Sequence, residues 1–363
     1  MKPRLIALYL PQFHTFPEND EWWGKGFTEW TNVARARKLF PGHKQPHIPA
    51  DLGFYNLLDP EVREKQAQLA RESGIEGFCY YHYWFGDKQL MEKPFKAVLE
   101  LGKPDFPFCL CWANHSWYKK LWDPKQPGKD KLLIEQKYPG VDDYTKHFYE
   151  LLPAFQDKRY IRVNGKPLFY IYDVDGFKDV KRFIDTWRKL AKDNGLVDFY
   201  FIGTDYDCRW HDKFMSYGFD AETNTDPFNI HHHMSLFGKL MLKIGRDWLG
   251  IPSIFPYKKA IKYMLHPRSN ERTVIPTICP NFDHTPRSGG KGKVLQGSTP
   301  QLFKQHVIEA LQLIKDKPEE EQIVIVKSWN EWGEGNYLEP DLEFGHGYLD
   351  ALKEAIDSCV NES

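Results

Sequence analysis

Eight short apolar runs, each followed by a longer segment with helical period, constrain this chain more than any other feature. The runs occupy residues 5–10, 77–83, 106–112, 168–172, 199–204, 219–222, 274–279 and 323–328 and are rich in Ile, Val, Phe and Tyr. Strands that alternate with helices build parallel sheets, because each crossover returns the chain to the same end of the sheet. No G-x-G-x-x-G and no P-loop follows the first run, so a closed barrel is favoured over an open doubly wound sheet. The expected fold is α/β, a single (β/α)8 barrel over residues 1–363, with insertions after the first and sixth strands at 11–58 and 228–272.

Helix ends are marked by their chemistry. Asp59-Pro60 and Thr299-Pro300 read as N-cap and first helical residue, and Gly74 closes the first of these helices. Phe303, Val307, Ala310, Leu311 and Ile314 share one face, which predicts packing on the barrel. Further helices are expected over 175–194 and 347–360. Segment 11–58, dense in Trp, Gly, Pro and His, has no period and reads as a long loop over the barrel mouth.

In such a barrel the active site is built from residues at the C-terminal ends of the strands. The runs end in Gln12 and His14, His82, Asn114 and His115, Asp205, Asn281 and Asp283, and Asn330 and Glu331. The most informative stretch follows the last run, Ser328-Trp-Asn-Glu-Trp-Gly-Glu-Gly335. It places Glu331 at a strand tip and Glu334 three residues on, between glycines that permit a tight turn. Glycoside chemistry needs such a pair, one group to protonate the leaving oxygen and one as base or nucleophile. Apolar rings such as Trp329 and Trp332, together with like-charge proximity, would raise one pKa. The plain alternative is that one glutamate caps a helix or pairs with Arg287, and Glu339 is expected to be structural. Asp283, His284 and Arg287 are candidates to contact sugar hydroxyls, or Arg287 to orient a carboxylate, unless they form a local ion pair.

Aromatics make up 15% of the chain, and many of its 12 Trp and 19 Tyr sit among polar residues. Sugars stack their C–H faces on rings and hydrogen-bond through hydroxyls, so this composition suits a glycan cleft. Of Tyr80-Tyr-His-Tyr-Trp-Phe85 and Cys111-Trp-Ala-Asn-His-Ser-Trp117, His82, Trp84, Trp112 and Asn114 are expected to face it. Core packing explains alternate members equally well.

Charge excludes other classes. Lys plus Arg number 49 against 50 Asp plus Glu, so no global field would gather nucleic acid. The insertion 228–272 is locally basic, with apolar residues interleaved. It reads as a solvated helical cover or, alternatively, as an amphipathic arm on a membrane surface or an anionic glycan. Three adjacent His at 231–233 point in different directions on a helix or strand, so no metal site is assigned. Four of six cysteines lie in apolar runs without paired spacing, and the first run is too short for a signal segment. The expectation is a cytoplasmic protein with no transmembrane segment. G-x-S-x-G and H-E-x-x-H are absent from the sequence.

The motifs Leu8-Tyr-Leu-Pro-Gln-Phe-His14, Trp22-Trp-Gly-Lys-Gly-Phe-Thr-Glu-Trp-Thr-Asn32, Gly77-Phe-Cys-Tyr-Tyr-His-Tyr-Trp-Phe85, Cys111-Trp-Ala-Asn114, Asp283-His-Thr-Pro-Arg287 and Trp329-Asn-Glu-Trp-Gly-Glu-Gly335 strongly resemble the WbsX family. They run from the first strand to the last. WbsX-like proteins are bacterial, associated with polysaccharide and O-antigen loci, and labelled glycosyltransferases. They also resemble glycoside hydrolase family 99, the endo-α-mannosidases and endo-α-mannanases, which are (β/α)8 barrels with a similar Asn-Glu-Trp-x-Glu-Gly motif. The resemblance implies that Glu334 is the general acid/base and that Glu331 deprotonates the sugar 2-hydroxyl to give a 1,2-anhydro intermediate with net retention. It implies no metal or organic cofactor and a glycan as partner; Tyr9 and Trp30, which lie within these motifs, are further candidate sugar contacts. One departure is His115-Ser116 after Trp-Ala-Asn, where many WbsX-like sequences carry an acid; it bears on specificity. The readings to distinguish are a retaining hydrolase or transglycosylase, a glycosyltransferase, and a glycan-binding barrel without activity. For the transferase, the D-x-D-like Asp173-Val-Asp175 follows a barrel strand rather than a nucleotide-binding sheet.

Overall fold

The computed structural model of the chain describes residues 3–119, 131–205 and 208–361. Its main sheet contains β1 (Arg4–Tyr9), β2 (Gly77–Trp84), β3 (Phe108–Trp112), β4 (Lys166–Ile171), β5 (Tyr200–Thr204), β6 (Ala221–Thr223), β7 (Val274–Ile275), β8 (Thr277–Ile278) and β9 (Ile323–Val326). The hydrogen-bonded order is β7-β6-β5-β4-β3-β2-β1-β9-β8, and every neighbouring pair is parallel. The two ends of that order are halves of one run, parted by Pro276. Proline has no N–H to give a ladder, and here its carbonyl accepts Ile325 N at 3.0 Å. One strand position thus bonds to β6 before the proline and to β9 after it, which closes the sheet. Eight positions, at the eight apolar runs, make the expected (β/α)8 barrel.

Helices Pro60–Glu72, Lys93–Leu101, Val141–Gln156, Val180–Asp193, His211–Tyr217, Pro300–Ile314 and Gly347–Asn361 lie between and after the strands. The Asp59 carboxylate accepts Glu61 N at 2.9 Å, and the Thr299 hydroxyl accepts Leu302 N at 3.3 Å, so both caps work as read. Phe303, Val307, Ala310, Leu311 and Ile314 are all buried; each such large aliphatic or aromatic side chain contributes about 1.5–3 kcal/mol through loss of apolar surface from water.

Two local expectations are corrected. The helix expected from 175 starts at Val180, because Asp173 Oδ1 accepts Gly176 N at 2.8 Å and holds the intervening residues in a turn. Segment 11–58 is not all loop. It contains helices Pro17–Trp23 and Glu29–Arg35, the second opened by a Thr28/Thr31 capping box.

The insertion after β6 has its own small core of Phe228, Ile230, Phe255, Tyr257, Ile261 and Met264 against Phe282 and Leu295. Its strand Ser253–Pro256 pairs with Lys293–Gln296, just beyond the Arg287 loop. Helix Leu236–Trp248 of the insertion buries no residue, and its apolar side faces water.

Candidate active site

Past β9 the chain forms a tight hairpin, Asn330–Glu331 pairing antiparallel with Asn336–Tyr337, and a short turn Trp332–Glu334 joins its arms. That turn brings both carboxylates to one guanidinium. Arg287 Nη1 donates to Glu334 Oε1 at 2.5 Å and to Glu331 Oε1 at 3.5 Å, while its Nε donates to Glu29 Oε1 at 2.8 Å. His284 Nε2 stands 3.6 Å from Glu334 Oε1, and the Ser328 hydroxyl donates to Glu331 Oε2 at 3.1 Å. Lys327, buried beneath, donates to Thr225 O at 3.1 Å and feels the charges of both glutamates.

Three carboxyls thus face two cations, Arg287 and Lys327. Burial, then repulsion from Glu334, pushes the Glu331 carboxyl up to about 7 against the pull of Arg287 and Lys327. Burial also opposes ionisation of Glu334, but Arg287, His284 and Lys327 together hold its carboxyl below the usual range. At neutral pH the free site therefore keeps Glu334 charged and Glu331 near its titration point.

Tyrosines from β2 and from just past β4 stand close enough to feel Glu331. The Tyr81 and Tyr83 hydroxyls are held protonated by burial and by the field of Glu331. Tyr172 lies 6.1 Å, ring to ring, from Tyr81, and 6.0 Å from His115. His115 is open to solvent yet close enough to feel Asp173 and Glu334. The sequence reading missed Tyr81, Tyr83, Tyr172, Lys327 and Glu29. Strand parity was the available signal for the tyrosines: His82 and Trp84 point the other way.

His82, Trp84 and Trp112 are corrected on that ground. His82 Nε2 meets His147 Nε2 at 2.8 Å, and the Trp84 indole donates to Asp143 Oδ1 at 3.1 Å and stacks on His147. Trp112 donates to Trp84 O at 3.2 Å and packs on Phe177 and Phe183. All three sit between barrel and helices. Tyr9 does the same, donating to Gln66 Oε1 at 2.7 Å.

Several other candidates are structural pins. Asn114 donates to Asp173 O at 2.7 Å and accepts Asp173 N at 2.7 Å. Asn330 makes the same pair with Leu10, accepting its N at 2.7 Å and donating to its O at 3.1 Å. Asp283 accepts from His43 and Gln45, both at 2.7 Å, and fastens the first insertion. Asn281 accepts Tyr337 N at 3.0 Å. Asp205 accepts Trp210 N at 2.7 Å, and burial with the field of Glu222 pushes its carboxyl up to about 6.

Trp30 donates to Tyr55 O at 2.7 Å, and Trp332 stacks on Tyr337 at 3.7 Å and donates to Glu339 Oε2 at 2.6 Å. Glu339 also accepts from Tyr55 and Gln66. Trp329 is fully buried against Phe78. His14 is buried with Nδ1 2.9 Å from Pro11 O, and Gln12, half-buried, takes part through its carbonyl, which accepts Glu29 N at 3.4 Å.

The histidines at 231–233 diverge: the first two rings stand at 84°, and His233 stacks on Tyr263. Among the described residues no group of His, Cys, Asp and Glu is arranged to hold a metal ion. No helix among them is long and apolar enough to cross a membrane.

Gly333 is where the site is tightest. A Cβ there would lie 1.6 Å from Glu29 Oε1 and 3.0 Å from Arg287 Nε. Gly333→Ala is expected to push Glu29 off Arg287 and cost about 1–3 kcal/mol, the range for overpacking; an unchanged urea midpoint would show that the contact has room to relax.

WxcX proteins from two strains of Xanthomonas campestris pv. campestris are 36% and 35% identical over 353 residues, 97% of this chain. The chain spans about half the length of these relatives, 49% in each case. A glycoside hydrolase family 99 endo-α-mannosidase from Bacteroides thetaiotaomicron has a similar fold, with TM-score 0.58 at 15% identity over 99% of this chain and 98% of that one. A glycoside hydrolase-like protein superposes with TM-score 0.59 at 16% identity, covering 98% and 94%. The sequence model described as Glycosyltransferase WbsX matches residues 5–352, and the chain belongs to that family.

Proposed function

We propose that the barrel cleaves or transfers glycosidic bonds with retention, acting on a bacterial polysaccharide or another α-linked glycan. The observation that carries this reading is the sharing of one guanidinium nitrogen by Glu331 and Glu334. Bound to Nη1 at 3.5 and 2.5 Å, their Oε1 atoms lie no farther apart than those two distances laid end to end. Retaining enzymes hold their carboxyls about 5–5.5 Å apart, and inverting ones about 6.5–9.5 Å.

Glu331, with its carboxyl near 7, is a stronger base than an ordinary carboxylate and suits removal of a proton from a sugar hydroxyl. Glu334 is held ionised in the free site, so it serves as acid only once substrate parts it from Arg287. That is where the free site departs from the roles implied by the family resemblance. With Glu331 as base, kcat/KM falls as pH drops through about 7. Lys327→Met, which removes a cation favouring the charged form, moves that limb to higher pH. A flat profile from pH 5 to 8 would reject the assignment.

A second reading, transfer from an activated donor, is favoured by the family description. Against it, Asp173 is committed to its own turn, and its backbone is clamped by Asn114. Incubation with oligosaccharides and, separately, with sugar nucleotides distinguishes the two. Reducing ends released without a donor support the proposal; consumption of donor with none released overturns it.

A further inference from the structure

We infer that helix Leu236–Trp248 is a docking face for anionic phospholipid, laid along the surface of a membrane. An ordinary surface helix turns its apolar stripe inward. This one does the reverse: Leu236, Phe237, Leu240, Met241, Ile244 and Trp248 are exposed, the two end residues Leu236 and Trp248 at 86%. At 100° per residue these six fall on a single face. Leu242, on a different side, packs against the insertion's own core.

Leaving so much contiguous apolar surface in water is costly unless something covers it, and charge says what. Lys239 and Lys243 line one edge of the apolar face, Arg246 beside them is paired with Asp247 at 2.8 Å, and exposed Lys258, Lys259 and Lys262 follow on the same insertion. An apolar face bordered by long cationic side chains is the arrangement that sinks into the acyl boundary while its ammonium groups reach lipid phosphates. A second copy of this chain fits worse, because a self-complementary dimer would bring two cationic patches together.

The helix is also fixed to the site. Gly290, in the turn after Arg287, packs so closely on the insertion that a Cβ would lie 2.0 Å from Gly250 O. The insertion leaves β6 at its C-terminal end, where the mouth is built. Membrane docking would therefore set the mouth beside the lipid surface, whichever reaction it performs.

The test is co-sedimentation of the full chain with sucrose-loaded vesicles, one set with phosphatidylglycerol in phosphatidylcholine and one of phosphatidylcholine alone. The protein is expected to pellet with the anionic vesicles. Phe237→Ser with Leu240→Ser and Trp248→Ser is expected to weaken binding about tenfold or more, and Lys239→Ala with Lys243→Ala to weaken it most at low salt. Unchanged far-UV circular dichroism and Tm confirm folding, since every substituted side chain is at least partly exposed. Failure to pellet, or binding indifferent to the apolar substitutions, overturns the inference. So does a dimer in size-exclusion chromatography that those substitutions dissolve in a chain that ignores vesicles.

Discussion

Glu334→Gln is expected to lower turnover by about a hundredfold to ten-thousandfold, the contribution of a positioned general acid/base, while oligosaccharide binding changes little. The amide preserves shape and still accepts a hydrogen bond from Arg287, so the loss reports proton transfer rather than collapse of the site. Glu331→Gln should fall as far for a different reason, and leaving groups separate the two. A substrate whose leaving group needs no proton restores the first step in the variant that lost the acid and does nothing for the one that lost the base. Wild-type turnover in Glu334→Gln would remove it from the chemistry. Isothermal titration with an unreacted oligosaccharide checks that binding survives.

Arg287→Met should have the largest effect on stability. The guanidinium holds Glu29, Glu331 and Glu334 at once. Removing it leaves buried carboxylates facing one another, and breaking a buried pair in this way costs about 3–5 kcal/mol. The low end applies, because the Arg287 side chain keeps 23% of its exposure and water takes up part of the loss. Part of that loss should return in the double variant with Glu29→Gln, which no longer carries the stranded charge. Urea unfolding of the four proteins in that cycle measures the coupling; additivity would show that Glu29 and Arg287 act independently. Glu331 and Glu334 should both titrate higher in the single variant, since each loses a cation that favours its charged form.

The barrel was legible in the sequence because its signal is periodic. Eight apolar runs at crossover spacing allow few other sheets, and Pro276 only divides one run without moving it. The glutamate pair was legible because a strand tip and a glycine-flanked turn fix position locally. What the sequence hid was parity. Barrel strands packed on both faces read as unbroken hydrophobic runs, so Tyr80-Tyr-His-Tyr-Trp-Phe85 offers aromatic residues to either side and nothing in it says which faces in. His82 and Trp84 found partners in Val141–Gln156, and Tyr81 and Tyr83 were left with the carboxylates. Also hidden was Glu29, which lies 258 residues from its partner Arg287. The insertion was left open between two readings for a related reason: interleaved apolar and basic residues give a helix two unlike sides, but composition does not say which side is turned to the protein.

Asn114 and Asn330 each mimic a peptide group, adding one more rung where a pair of neighbouring strands would otherwise splay apart. The rung at Asn114 couples the exit of β3 to that of β4, and the rung at Asn330 couples β9 to β1. Loops leaving coupled strands are therefore positioned in pairs. Grafting a new specificity onto this scaffold therefore means exchanging both loops of a pair together with the amide that joins them, since a single transplanted loop would arrive without its hinge pin.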